Sequence, residues 1–189
     1  MTSGKGIVHS EGPTEKFLQQ GGDLELMQVW INLPAAKKEL DPSFRHYSGS
    51  TLPEVKTGNA TIKVLVGEYD GKVSPVSTHT NLFYYDVHLQ PGEPFIFPVP
   101  ESNTAAIYLI EGALSVVGTA VKAQQLVHFE QNGQQVAITA KEPARFIFFG
   151  GEPIKEKVVS YGPFVMNTMQ EIESKIEAYQ NGAMGVLEF

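Results

Sequence analysis

Between residues 60 and 150 the chain is a succession of short apolar segments separated by turn residues, and this feature strongly favours a β fold. The segments are 60–68, 82–89, 95–100, 105–112, 113–118, 125–130, 135–140 and 144–150. They are short for helices, and several alternate apolar with polar residues. Asp70-Gly71 is a turn pair, and Asn132-Gly133 predicts a hairpin between its flanking strands. The spacing of these signals predicts a β-sandwich or β-barrel.

The amino-acid composition limits the kinds of site and partner that such a fold could have. A chain of 189 residues suits a single domain with a sizeable core. The absence of cysteine excludes disulfides, thiolate metal sites, iron–sulfur clusters and cysteine nucleophiles. The formal net charge of −7 makes nucleic acid or an anionic membrane surface an unfavourable direct partner. Because no apolar run has membrane-spanning length and no signal-peptide core is visible, we expect a cytoplasmic protein.

The N-terminal part of the chain differs from this β body. Residues 1–23 are polar and glycine-rich, which is typical of an arm that is ordered only when something binds it. Residues 24–33 alternate well enough to predict a half-buried strand. Residues 34–40 predict a short helix that begins at Pro34. Residues 41–59 are rich in Pro, Ser and Gly and predict a loop.

The C-terminal part predicts one amphipathic helix over residues 168–181. Thr168 and Glu171 have the spacing of a capping box, in which the threonine hydroxyl accepts from the Glu171 amide and the carboxylate reaches back. The apolar residues that follow at helical spacing are Met169, Ile172, Ile176 and Tyr179. Asn181-Gly182 can end the helix. We therefore expect this helix to pack its apolar face against another apolar surface.

Several stretches together resemble the pirin family, whose members carry two cupin barrels in tandem. They are GKGIVHSEGP (4–13), MQVWINLPAAKK (27–38), IKVLVGEYDGKVSPV (62–76), YYDVHLQPGEPFIFPVP (84–100), AIYLIEG (106–112), ARFIFFGGEPIKEKVVSYGPFVMNT (144–168) and EAYQNGAMG (177–185). The resemblance implies an all-β fold: a cupin-type double-stranded β-helix barrel, or jelly roll. It implies that residues 1–23 are an arm like the end of the first pirin cupin. Residues 24–165 would form the C-terminal cupin barrel, and residues 166–189 a helix and tail.

The same resemblance bears on a metal site. In pirins the first cupin holds one metal, usually iron, through three histidines and one glutamate, and His9 and Glu11 match the last two of these ligands. The strands that carry the other two have no counterpart in this sequence. On a strand, residues i and i+2 share a face, so this imidazole and carboxylate could converge on one ion. Since two ligands hold a metal weakly, we expect His9 and Glu11 to be a remnant pair and expect no cofactor. Iron or another divalent transition metal is expected only if another chain or domain completes the site.

The remaining polar residues are better explained by structure than by chemistry. The pairs Asp86/His88 and His128/Glu130 are expected on solvent-facing strand surfaces, and His46 and His79 in loops. Cupin barrels that bind a metal carry an H-x-H motif just before a buried strand. The corresponding residues of this sequence, 98–103 (PVPESN), contain no histidine. The second barrel is therefore expected to be without metal, as in the family.

Charged and aromatic residues near the strands also have structural interpretations. Arg145 and Glu68 lie beside buried-looking strands, where structural ion pairing is expected. Trp30 and Tyr47 could line the mouth of a barrel, but packing in the core is the favoured interpretation.

Two functions follow from the resemblance. The favoured hypothesis is a truncated or single-cupin pirin-like protein that acts as a binding or regulatory module for a protein partner or a small aromatic ligand. The alternative is a metal-dependent quercetin dioxygenase, in which Glu11 would be the base and His9 a metal ligand. A lost first cupin would leave apolar surface open, so we also expect a homodimer in which residues 1–20 contact the partner chain.

Overall fold

A computed structural model describes residues 1–187 of the chain. The chain forms two compact units: His46–Pro153, called here the barrel unit, and Met1–Arg45 with the residues from Ile154 onward, called the flanking unit. No helix in the described part of the chain is long and apolar enough to cross a membrane.

The barrel unit is built from antiparallel strands. They are β1 (Glu54–Thr57), β2 (Ala60–Val66), β3 (Glu68–Tyr69), β4 (Lys72–Val73), β5 (Leu82–Leu89), β6 (Phe95–Pro98), β7 (Thr104–Glu111), β8 (Ala113–Val116), β9 (Thr119–Lys122), β10 (Leu126–His128), β11 (Gln135–Ala140) and β12 (Ala144–Gly151). Six form a sheet in the order β1-β2-β5-β12-β7-β10, and four form a second sheet in the order β6-β11-β8-β9. Strands β3 and β4 form a separate ribbon.

One hydrophobic core unites the two sheets. Alternate residues along the strands are fully buried, such as Ile62, Val87 and Phe146 in the larger sheet and Phe97 and Ile138 in the smaller one. This alternation is what a sheet with one core-facing side requires. The predicted all-β architecture is therefore confirmed.

Local sequence patterns predicted the positions of several elements correctly. Strands β5 and β11 have the bounds that the apolar pattern predicts. The turn between β3 and β4 uses Asp70 and Gly71 with φ angles of 48° and 72°. Such positive angles at both central residues define the type I′ turn that Asp-Gly favours.

Two predictions about the barrel unit were wrong, and one of its strands was not predicted. The Asn132-Gly133 pair does not form a hairpin, because β10 pairs with β7 while β11 pairs with β6 and β8 in the other sheet. The predicted loop at 41–59 contains β1, whose Val55 is buried against the core side of β2. Strand β9 was not predicted; its pairing with β8 and the burial of Val121 in the core depend on residues outside the segment.

The flanking unit contains the helices and one hairpin. Its elements are α1 (Glu15–Gln20), a 3₁₀ turn (Ala35–Lys37), β13 (Val159–Tyr161), β14 (Phe164–Met166) and α2 (Met169–Gln180). The predicted C-terminal helix is confirmed, with Thr168 as its N-cap and Asn181 as its C-cap. Of its predicted apolar face, Ile172 is fully buried whereas Tyr179 is exposed.

The N-terminal arm is held by its own unit. The Lys5 N–H donates to the Leu40 carbonyl and the Val8 N–H to the Met184 carbonyl, each at 2.9 Å. Gly6 packs so closely on Met184 that a β-carbon there would lie within 2.5 Å of its sulfur. These contacts hold residues 5–8 against Leu40 and Met184 of the same unit.

A polar network joins the 3₁₀ turn to the C-terminal elements. Lys38 is buried, its ammonium donates to the Val165 carbonyl at 3.5 Å, and burial lowers its pKa. The Glu156 carboxylate accepts from the Ala35 N–H at 2.7 Å and from the Asn167 amide at 3.1 Å. Because Ala35 and Glu156 are 121 residues apart in sequence and Lys38 and Val165 are 127 apart, the network joins an early segment of the chain to a late one.

The strand predicted at residues 24–33 is absent. No strand of residues 1–187 includes this segment, and most of its side chains are exposed. Trp30, expected in the core, is exposed as well. An alternating pattern shows only that a segment could pair, because a strand also needs a neighbour to accept and donate its backbone hydrogen bonds.

Replacing Thr168 by alanine is expected to lower the free energy of unfolding by about 1 kcal/mol, because the cap bond to the Glu171 N–H is lost. The Thr168 hydroxyl also donates to the Glu171 carboxylate, and this bond chiefly holds the pKa of Glu171 below its ordinary value. The ionised Glu171 carboxylate therefore adds to the free energy of unfolding above the unfolded-state pKa of Glu171. This contribution is lost as pH falls through the folded-state pKa of the same group. Urea denaturation at pH 7 and in mild acid measures both effects. The control Ser174→Ala, on the exposed face of the same helix, should change stability little.

Candidate functional site

The structure brings together the two residues that the sequence nominated for metal binding. His9 Nδ1 lies 3.8 Å from Glu11 Oε1, and both side chains are exposed. The segment that carries them belongs to no strand within residues 1–187. Gln28 donates from its side-chain amide to Glu11 Oε2 at 3.1 Å. Sequence reasoning missed this third member, because no local signal links residues 17 positions apart.

This donor set is too small for a complete metal site. No group of three or more His, Asp or Glu residues that could hold an ion occurs within residues 1–187. Two exposed protein ligands leave most of the coordination sphere of a transition metal to water. The residues present therefore do not fit the three-histidine, one-glutamate site that the resemblance implies.

The other polar residues singled out in the sequence either form an ion pair across neighbouring strands or face solvent. Arg145 forms a bidentate pair with Asp86, with nitrogen–oxygen distances of 3.1 and 3.0 Å across β12 and β5. The expected ion pairing of Arg145 is thus found with Asp86. His88 and His128 point to solvent from their strands, as predicted.

Aromatic side chains fill the interior of the barrel unit. Ring contacts with centroid separations of 4.6 to 6.4 Å join them into one cluster. Its members are Tyr69, Phe83, Tyr85, Phe95, Phe97, Phe146 and Phe148. The Tyr85 hydroxyl donates to the Glu68 carbonyl at 2.5 Å, and burial raises the pKa of Tyr85. The space in which a barrel could hold a ligand is therefore largely occupied by its own side chains.

Residues 98–103, which contain no histidine, lie beside a small cavity. Val99 in that segment is buried, and it lines a cavity of about 190 Å³ with Ala105, Phe129 and Val136. A second, more open groove of about 430 Å³ lies along loop residues 74–81, and its lining includes the hydroxyl side chains of Ser74, Ser77, Thr78 and Thr80. Neither cavity contains a cluster of metal-ligating groups.

Comparison with known proteins decides the family. The pattern that defines the Pirin C-terminal cupin domain matches residues 84–185. The chain belongs to the pirin family. Among its pirin relatives, the pirin-like protein of Solanum lycopersicum is 38% identical over 98% of this chain and 63% of its own length. Human pirin is 33% identical over 98% of this chain and 64% of its own length. This pirin-family chain thus spans less than two thirds of the length of these relatives.

Solved structures agree with the pirin assignment. A quercetin 2,3-dioxygenase from Acinetobacter baumannii superposes with a TM-score of 0.79 at 27% sequence identity, covering 84% of this chain and 56% of the other. The cupin-type barrel predicted from the resemblance is therefore confirmed for this pirin. The exposed pair His9 and Glu11 remains a predicted remnant that the comparison does not test.

Proposed function

We propose that this pirin-family chain acts as a non-catalytic binding module that works through protein contacts. The observation that carries the proposal is the barrel interior, which is filled by aromatic side chains around Phe97. Catalysis in a cupin barrel would need open space and several convergent ligands. The exposed apolar residues of 24–31 support a role in contacts with another polypeptide, because large apolar patches on soluble proteins mark interaction sites.

Incubation with excess Fe²⁺ followed by desalting is expected to leave only background metal, and the protein should not accelerate oxygen uptake with quercetin. Two exposed donors, His9 and Glu11, compete poorly with water for a metal ion. Elemental analysis and an oxygen electrode provide the two measurements. The variant His9→Ala should have the same iron content and the same oxygen uptake as the control His128→Ala, in which the replaced histidine lies exposed on a strand. Stoichiometric iron with quercetin-dependent oxygen uptake would refute the non-catalytic proposal.

A metal-dependent flavonol dioxygenase is the second candidate. The 3.8 Å approach of His9 and Glu11 favours it, together with the likeness to the Acinetobacter baumannii quercetin 2,3-dioxygenase. A second chain would have to donate the missing ligands, and Glu11 would then be the proton acceptor. In that case Glu11→Gln should abolish oxygen uptake, whereas Glu130→Gln should leave it unchanged.

A further inference from the structure

The cavity beside residues 98–103 has an apolar floor with room for a single ring. It lies where β6 ends and where β7 and β11 begin. Val99, Ala105 and Val136 are buried there, and Phe129 is partly buried against the core. The volume of the cavity is about 190 Å³. Because an apolar cavity of about 150 Å³ can hold benzene, this floor matches one aromatic ring in both size and lining.

The rim of the same cavity is polar and carries one carboxylate. Its amide side chains are those of Asn103, Gln131, Asn132 and Gln135. The Asn132 side chain donates to Glu130 Oε2 at 3.3 Å, and the Gln131 side chain donates to the Ser102 carbonyl at 2.9 Å. Among the described residues that line the cavity, Glu130 alone is charged. A carboxylate accepts hydrogen bonds from an ammonium group and repels an anion, so the rim favours a cation beside the ring.

Val117, which also lines the cavity, has a strained backbone. Val117 and Gly118 form the two-residue turn between β8 and β9, with φ angles of 46° and 81°. Positive φ at both positions defines a type I′ turn, in which the first position is usually Asn, Asp or Gly. A β-branched residue with positive φ is an outlier. Val117 is also 75% exposed, so burial in the described chain does little to offset the strain.

We propose that this cavity binds a small primary amine that carries one aromatic ring, and that Val117 covers the bound ring. The ring lies on the floor formed by Val99, Ala105 and Val136. The ammonium group donates to Glu130 and to amide oxygens of the rim. Contact with the ring gives the exposed Val117 side chain an apolar neighbour, which an asparagine in the turn would not provide. Backbone strain of this kind clusters at ligand sites, where it is part of the function.

This small-molecule site goes beyond the proposed role in protein contacts, and its test uses neither metal nor oxygen uptake. Benzylamine, benzyl alcohol and benzoate are matched probes, because they share the ring and differ in the charge of the polar group. Titration followed by ¹⁵N–¹H NMR is expected to shift the amide signals of Val99, Ala105, Phe129 and Val136. Benzylamine should bind up to about fivefold more tightly than benzyl alcohol, the limit for an exposed ion pair. Benzoate should bind more weakly than either.

Substitutions of the rim and the floor test the two parts of the site separately. Glu130→Gln should remove the preference for benzylamine, whereas Glu142→Gln, at an exposed carboxylate outside the cavity, should retain it. Glu130→Gln does not alter the candidate metal ligands His9 and Glu11, which belong to the flanking unit. Ala105→Leu fills the floor and should abolish the shifts with all three probes. If Ala105→Leu does not fold, the exposed substitution Glu130→Gln still decides the result.

Val117→Asn tests the strained turn. It should raise the urea midpoint of the free protein by roughly 0.5 M, because asparagine adopts positive φ with less strain. The same variant should bind benzylamine about threefold more weakly, since the apolar contact with the ring is lost. A gain in stability with unchanged affinity would overturn the role of Val117. Absence of shifts at the cavity, or a preference for benzylamine that Glu130→Gln leaves intact, would overturn the amine site.

Discussion

Replacing Phe97 by alanine is expected to lower the free energy of unfolding by about 3–5 kcal/mol. Phe97 is fully buried, and its ring contacts those of Tyr69, Phe95, Phe146 and Phe148. The loss combines the transfer free energy of the ring with the cavity left among neighbours that cannot all collapse inward. The aromatic cluster includes residues of both sheets, so the loss would fall on packing between them.

Urea denaturation followed by near-ultraviolet circular dichroism measures this loss, since the signal reports packing of the aromatic cluster. Phe44→Ala is the matched control, because Phe44 is 71% exposed and its removal should change stability by less than about 0.5 kcal/mol. If Phe97→Ala cost no more than Phe44→Ala, the barrel interior would not be the packed core described here.

Replacing Gly150 by alanine is expected to cost about 3 kcal/mol, the upper end of the range for overpacking. A β-carbon at Gly150 would lie 2.2 Å from the Thr104 carbonyl oxygen and 2.7 Å from the Phe83 ring. Gly150 is on β12, between β5 and β7, so neither neighbouring backbone can move without breaking its ladder. The strain caused by the added β-carbon must therefore be distributed over β5, β12 and β7 at the centre of the larger sheet.

Thermal and urea denaturation of Gly150→Ala and Gly133→Ala make a matched comparison. A β-carbon at Gly133 would meet nothing within 4 Å, so this control should change stability by no more than about 0.5 kcal/mol. Equal stabilities for the two variants would contradict the close strand packing at Gly150.

Much of the local structure could be predicted because its causes are local. The bounds of β5 and the capping of α2 at Thr168 depend on the order of residues within one segment. The Asp70-Gly71 turn depends on the ability of two residues to adopt positive φ angles. The residues that carry the pirin resemblance likewise lie in continuous stretches, which is why the family and the cupin-type barrel could be expected before the fold was seen.

The candidate site was only partly predictable. His9 and Glu11 are two residues apart and were identified from the sequence, whereas Gln28, which donates to Glu11, was not. Arg145 was expected to be paired, but its partner Asp86 is 59 residues away and is reached only through the pairing of β12 with β5. Such partners are set by strand register, which no single segment contains.

By itself the sequence determined most strand segments of the barrel unit, the Asp70-Gly71 turn, the C-terminal helix and the shortage of metal ligands, since these depend on residue type and local spacing. The tertiary structure alone decided which strands became neighbours. Asn132-Gly133 could close a hairpin, yet β10 and β11 joined different sheets. Residues 24–33 carry a strand pattern as good as that of β2 but have no strand neighbour in the described chain. The physical reason is that a strand is stable only when hydrogen bonds to a neighbour and burial of one face occur together, and both depend on residues distant in sequence.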